Sequence, residues 1–511
     1  MNKVSVNSKR IAKNTLMLYI RMFLAIIVGL YTSRVVLHTL GVSDYGIYNV
    51  VGGIVAMLAF LNSAMTTASQ RFISFELGRN NLSRLKDVFC TSVTIHFTIA
   101  IIILLIAETV GLWFLNTHMN IAENRLTAAN WVYQCSIFSF MLMIVSVPYN
   151  ACIVAHEHMK AFAYISIMET ILKLLIVYFL LVIHYDKLII YALLVAGVSL
   201  FVRMVYGIYC KRNFEECKYH FSFYPGLFKE MFAFAGWSVV GNLGFSFKDQ
   251  ASNVVLNLFC GTAVNAARGV ALQVNGIISN FSSNFVMALN PQITKQYAHG
   301  SIADSQKLVY AGCRFSFFLL SLIVVPVIIN IDYLLQLWLG NVPQYTIQFL
   351  IGALVAALIN SMATPLVTAM QATGDIKLFQ IVICIIMICE PLLTYVVLHL
   401  GYPPYYAMIP TIGVTLIGLI ARIFLLKRLI SSYSIRYFIF HIMLRSIVVF
   451  SVSLGISFWI HQFFSTNFLN FFFTSFIALF ITVVSIYWGG ISREERVLLR
   501  QKIYSITRKN N

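Results

Sequence analysis

The chain has 511 residues, of which 59% are hydrophobic and 11% charged, with a formal net charge of +18. Soluble domains carry roughly 25% charged residues, so the composition excludes an ordinary cytosolic globule. It also removes nucleic acid as the reason for the positive charge, because a polytopic membrane protein gathers Lys and Arg in its cytoplasmic loops.

Crossing the hydrocarbon layer takes about 20 apolar residues in a helix, and runs of that length recur along nearly the whole chain. In order, the first half predicts spans at 15–37, 45–68, 89–115, 131–155, 163–183, 188–209 and 231–258. The second half predicts 264–289, 308–329, 345–370, 378–400, 406–426, 446–464 and 468–488. The expected fold class is therefore an all-α polytopic membrane protein of about fourteen transmembrane helices. The first run is too long for a signal peptide, contains Arg21 and Arg34 and lacks a small-residue cleavage site, so it reads as a retained helix.

Orientation follows from the basic residues in alternate connections. One set holds Lys9, Arg10 and Lys13, then Arg79, Arg84 and Lys86, then Lys160, Lys211, Arg212, Lys218, Lys295, Lys307, Lys377, Lys427, Arg428 and Arg436. The opposite set offers little beyond Arg125 and Lys187. The positive-inside rule then expects both termini in the cytoplasm. All connections are short, which leaves no room for an extramembrane catalytic domain. The longest, 211–229, carries Phe221, Phe223, Tyr224 and Phe228 around Pro225 and Gly226 and reads as a linker between lobes.

An internal repeat supports those lobes. Pro148, Ala155, Lys160 and Phe162 recur 217 residues later as Pro365, Ala372, Lys377 and Phe379. Gly41, Ser63, Ala68 and Ile73 recur 220 residues later as Gly261, Ser283, Ala288 and Ile293. An even number of repeated spans gives the two copies one orientation, hence two six-helix lobes related by a pseudo-two-fold axis along the membrane normal. The expected division is an N-terminal lobe over 1–210, a cytoplasmic linker over 211–230 and a C-terminal lobe over 231–428. Two extra transmembrane helices over 429–490 and a basic cytoplasmic tail over 491–511 complete it.

Several short elements resemble a known family. They are Ser8-Lys9-Arg10 leading into 14–19, Ser33-Arg34, and Leu40-Gly41-Val42-Ser43-Asp44-Tyr45-Gly46-Ile47-Tyr48, followed by Gln70-Arg71-Phe72, Phe234-Ala235-Gly236-Trp237 and Ala288-Leu289-Asn290-Pro291-Gln292. Together they are similar to the Wzx-type oligosaccharide-unit flippases of the multidrug/oligosaccharidyl-lipid/polysaccharide exporter superfamily, relatives of the MATE exporters. The resemblance implies alternating access and an undecaprenyl-pyrophosphate-linked oligosaccharide as cargo, an O-antigen, capsule or exopolysaccharide repeat unit. It also implies membrane lipids, and a polysaccharide polymerase and glycosyltransferases, as surroundings and partners.

Ionisable residues inside the spans are the site candidates, because a charge near the bilayer centre costs at least about 2.5 kcal/mol and normally faces a wet cavity or a partner. Arg21, Arg34, Lys248 and Arg268 form the expected cationic substrate-binding set, suited to phosphate oxygens; Arg34 and Arg268 are also within snorkelling reach of span ends. Asp249 and Glu390 are candidates for ion coupling, and an ion pair is the equal alternative for Glu390. Asp249 points about 100° away from Lys248 around the helix, so at least one of the two needs a partner elsewhere. Lys173 follows Glu169 by four residues and is expected to pair with it. His96 and Glu108 are weaker candidates. Arg203, Arg314, Arg422 and Arg445 are expected to snorkel.

The nine cysteines lie mostly in apolar runs with no C-x-x-C pair, so neither a metal site nor a disulfide framework is expected. No nucleotide-binding loop and no nucleophile arrangement stand out, which gives a non-enzyme with no cofactor. The competing function is a MATE-like exporter of cationic drugs, whose cavity would be lined with carboxylates instead.

Overall fold

The computed structural model describes residues 3–56, 59–118, 121–182, 184–220, 224–464, 467–491 and 495–497. Every regular element among them is helical. In hydrocarbon an unpaired backbone amide or carbonyl costs several kcal/mol, and a helix satisfies its own. The helices are α1 (Lys3–Ala56), α2 (Ala59–Arg79), α3 (Leu82–Ile106), α4 (Leu112–His118), α5 (Leu126–Ala155), α6 (Met159–Val182), α7 (Lys187–Asn213) and α8 (Pro225–Ala298). They continue as α9 (Ile302–Ile329), α10 (Ile331–Leu339), α11 (Thr346–Thr373), α12 (Lys377–His399), α13 (Met408–Leu429), α14 (Ile435–Tyr437), α15 (Leu444–His461) and α16 (Phe468–Ser485).

Eleven helical stretches of the described chain are long and apolar enough to cross a membrane. The expected spans at 45–68, 231–258 and 264–289 are not among them. The span at 45–68 includes residues outside those described, and the other two run through α8, whose amides and charges, Asn242, Lys248, Asn253 and Arg268 among them, lower the mean hydropathy. Large side chains such as Phe23, Leu258 and Phe476 stand exposed at 50%, 75% and 69%. Large exposed apolar side chains of this kind suit helices that span a lipid bilayer.

Backbone conformation carries the repeat. Gly41 interrupts α1 at φ 79° and ψ 167°, and Gly261 interrupts α8 at φ 77° and ψ −176°. The left-handed region favours glycine, and the two residues are the pair matched in the sequence. Two further pairs share positive φ at the same offsets: Asn80 (54°) with Gly300 (79°), and Glu157 (62°) with Gly374 (86°). Pro148 and Pro365 lie inside α5 and α11, each close to the helix end that precedes one of these turns.

The chain divides into two compact units, residues 1–243 with 287–301 and residues 244–286 with 302–511, so α8 contributes to both. In the first unit α5 packs against α1, α2, α3 and α7, and α6 packs against α1 and α7. Val132, Tyr133, Ile137, Phe140 and Ile144 of α5 meet Ile103, Val177 and Ala192 in its core. Gly78 of α2 lies where any Cβ would come within 2.8 Å of the Lys295 backbone, so α2 and the end of α8 touch main chain to main chain. In the second unit α11 packs against α9 and α13, α12 against α13, and α15 and α16 against each other and α9. Asn330 ties α16 down, accepting from Thr474 Oγ1 at 2.9 Å and donating to Ser475 Oγ at 3.1 Å.

Candidate functional site

Four of the sequence-derived site residues meet in the second unit. Lys248 on α8 has its Nζ 3.0 Å from Asp249 Oδ1 and 3.2 Å from Glu390 Oε2 on α12, with only 12% of its side chain exposed. The Glu390 carboxylate is fully buried and also accepts from Thr411 Oγ1 at 2.9 Å. Arg268, 3% exposed, hydrogen-bonds Asn253 Oδ1 and interacts electrostatically with Asp249 and Glu390. Neighbouring residues on one helix do pair here, because the four-carbon Lys stem bends across the angular gap. The outside partner required by that gap is Glu390. The α8 and α12 backbones approach closely at this level, since a Cβ on Gly244 would come 3.2 Å from Cys384 Cα. Two cations and two carboxylates make the cluster neutral when all four are ionised, where an excess of cations was expected.

Arg21 lies in the other unit, its guanidinium 4.8 Å from the Phe162 ring centre and interacting with Tyr206. Arg34 is on α1, and its side chain lies outside the described residues. Lys173 donates to Glu169 Oε1 at 2.6 Å, the local pair expected from the spacing. Glu108 accepts from Gln134 at 3.1 Å, and buried His96 places Nδ1 2.7 Å from the Ser92 carbonyl.

Of the four arginines expected to snorkel, Arg203, Arg314 and Arg445 are half-buried and have partners within the protein, and only Arg422 is buried outright, contrary to that expectation. Arg203 lies 4.0 Å from the Tyr149 ring centre, and Arg314 pairs with Glu495. Arg445 donates to the carbonyls of Gly489 and Ile491. Arg422 is 2% exposed. The first three are reached by a neighbouring helix or by the following segment of chain, which span length alone does not reveal, whereas Nε and Nη1 of Arg422 have no hydrogen-bond partner among the described residues.

Two ionic networks in the first unit were not anticipated. At the turn between α5 and α6, Glu157 is 1% exposed and takes Arg10 Nε at 3.0 Å, Gln292 Nε2 at 2.6 Å and Lys295 Nζ at 2.9 Å. Arg10 Nη2 also donates to the His156 carbonyl at 2.9 Å. A non-glycine residue in the left-handed region costs about 1–2 kcal/mol, and the equivalent position in the repeat is a glycine. Glutamate is held in this conformation because its carboxylate collects three donors from α1 and the end of α8. Close by, Arg71 lies 4.5, 4.7 and 5.6 Å from the ring centres of Phe72, Phe75 and Phe234. Arg10, Arg71, Phe234 and Gln292 all come from the short elements that carried the family resemblance.

In the same unit Arg125 forks between Asp44 of the Leu-Gly-x-x-x-Tyr-Gly element, bonded through Nε at 2.9 Å, and Asp186, bonded through Nη1 at 2.6 Å. Asp186 also caps α7, accepting from the Leu188 amide at 3.0 Å. Burial opposes ionisation of Asp186, but the Arg125 hydrogen bonds and the two cap amides outweigh it and hold the carboxyl below its ordinary range. The available signal for both networks was rarity: with 18 acidic residues in 511, each Asp or Glu in a short turn was a candidate anchor.

The sequence profile described as "Polysaccharide biosynthesis protein" matches residues 9–296. No curated protein matches the chain. Among solved structures, a MATE point mutant superposes with a TM-score of 0.73 at 11% identity, over 83% of this chain and 97% of that one. An outward-facing multidrug-resistance MATE family transporter of the MOP superfamily gives 0.70 at 12%, over 83% and 97%. A MOP superfamily transporter from Pyrococcus furiosus, described by a binding pocket of reversed polarity that suggests a different function, gives 0.69 at 13%, over 83% and 96%. At these identities the likeness is one of fold.

Proposed function

The chain belongs to the polysaccharide biosynthesis protein family, and on that premise, with a MATE-like transporter fold, we propose that it flips an undecaprenyl-pyrophosphate-linked oligosaccharide from the cytoplasmic to the periplasmic leaflet by alternating access. The observation that carries this reading is the pairing of Lys248 with the fully buried Glu390 beside Arg268. In this state the carboxylates occupy the cations. Protonating Glu390, or displacing it with a pyrophosphate, frees an ammonium for an anionic headgroup, with the Arg268 guanidinium beside it. A charge-assisted contact of this kind contributes about 1.5–3 kcal/mol where it is desolvated, and the same exchange gives Glu390 and Asp249 a route to coupling with a proton gradient. Arg21 and Arg34 on α1 belong to the proposal on sequence grounds. The polyprenyl tail remains in lipid and only the headgroup and glycan enter the protein.

The proposal includes an inner-membrane location with both termini cytoplasmic, and a polymerase and glycosyltransferases as functional neighbours. It assigns no bond-breaking chemistry to the chain. The second reading, export of a cationic drug, draws on the carboxylates of the same cluster. One experiment separates the two. In proteoliposomes containing fluorescent lipid-linked oligosaccharide, Lys248→Ala and Arg268→Ala are expected to slow translocation at least tenfold, and Arg268→Lys to restore it partly, because an ammonium keeps the charge and loses the planar fork. Parental rates in both Ala variants, with altered efflux of a cationic dye, would favour the exporter.

A further inference from the structure

Outside these networks the first unit holds a second buried polar cluster, built from thiols. Cys152 near the end of α5, Cys210 near the end of α7, and Glu216 and Cys217 in the 3-10 turn after α7 are 0%, 0%, 2% and 4% exposed. The ligand atoms of Cys152, Glu216 and Cys217 all lie within 4.8 Å of one another. Cys217 lies beside both Cys152 and Cys210, and Cys210 Sγ donates to the Tyr149 carbonyl at 3.5 Å. The Glu216 carboxylate meets His156 Nε2 at 2.5 Å, and the His156 ring is stacked on Phe214 at 4.2 Å and 11°.

Buried cysteine by itself is ordinary packing. A carboxylate taken out of water beside thiols is less ordinary, because an ionised buried group costs heavily unless it is paired or coordinated, and the one partner of Glu216 among the described residues is the His156 ring. We infer that Cys152, Cys217 and Glu216 form three corners of a thiolate-rich site for a zinc ion, with Cys210, which stands outside that 4.8 Å group, moving in as the fourth. Tetrahedral zinc with Zn–S near 2.3 Å places its sulfurs about 3.7 Å apart, so the ligand atoms of Cys152, Glu216 and Cys217 contract by at most about 1 Å to close around the ion, and Cys210 moves further. His156 then acts from outside, holding the Glu216 carboxylate through its 2.5 Å contact as an outer partner does for a metal-bound group. Binding converts thiols to thiolates and releases their protons, and the ion's charge compensates carboxylate and thiolates together. The ion pins the 214–217 turn to the ends of α5 and α7. The inference is independent of the transported cargo. It departs from the sequence reading because the ligands come from three elements at no recognisable spacing.

The test uses full-length protein purified in detergent with reductant. After exposure to zinc sulfate and gel filtration over a weak chelator, elemental analysis is expected to find about one zinc per chain. Cys152→Ser and Cys217→Ser should lower that at least fivefold, while Cys313→Ser, on α9, leaves it unchanged. Should the Ser variants fail to fold, cobalt(II) titration of the parent decides: a thiolate-to-cobalt charge-transfer band saturating at one equivalent supports the site. No retained zinc and no such band in folded parent protein would overturn the inference. So would a Cys210–Cys217 disulfide that persists with reductant, or equal zinc in Cys217→Ser.

Discussion

Replacing Glu157 tests whether its network holds α1 and the end of α8 to the α5–α6 turn. In Glu157→Ala the buried Gln292 amide and the Lys295 ammonium lose their shared acceptor, and removing one partner of a buried pair costs about 3–5 kcal/mol. Lys295 keeps 20% side-chain exposure, which places the expected cost toward the lower end, about 3 kcal/mol. Arg10 is 49% exposed and adds at most about 1 kcal/mol. Backbone strain separates two variants that delete the same side chain. At φ 62° alanine keeps the left-handed penalty, whereas glycine is free of it, so Glu157→Gly should be about 1 kcal/mol more stable than Glu157→Ala. Glu157→Gln keeps hydrogen bonding without the charge and should fall between Ala and the parent. Reversible unfolding in mixed micelles, with midpoints and slopes compared across the series, measures these differences. Equal stability of the Ala and Gly variants would refute the strain argument, and an Ala variant within about 0.5 kcal/mol of the parent would refute the network's role.

The Lys248–Glu390 pair predicts a double-mutant cycle in which Glu390→Gln and Lys248→Met each destabilise, and together do so by less than their sum, with a coupling of at least about 1 kcal/mol; additivity would deny the pairing. Asp186, held below the ordinary carboxylate range, contributes stability that is complete above that range and is lost as pH falls through its lowered pKa. Arg125→Ala should therefore flatten the acid limb of a stability-versus-pH curve measured in detergent, and an unchanged limb would remove this linkage. Tags at the N-terminus, at Asn213 and at Asn511 are each expected to report the cytoplasm, and a periplasmic signal from any one would overturn the proposed orientation.

Sequence alone determined the helical class, because long apolar runs in lipid leave the backbone no other way to satisfy its polar groups. It also located the repeat, since Gly41 and Gly261 mark turns whose left-handed conformation constrains residue type, and such constraints stay readable without coordinates. Lys248, Asp249, Arg268 and Glu390 were legible one by one, because a charge within an apolar run is expensive wherever it points. Their assembly into a neutral cluster was not, since it depends on α12 lying beside α8. The same limit hid Glu157, whose donors Arg10 and Lys295 are 147 and 138 positions away, and the thiols of α5, α7 and the turn that follows. A helix's own register fixes which residues share its face, but only packing decides which faces meet, and ionic partners are chosen at that second step.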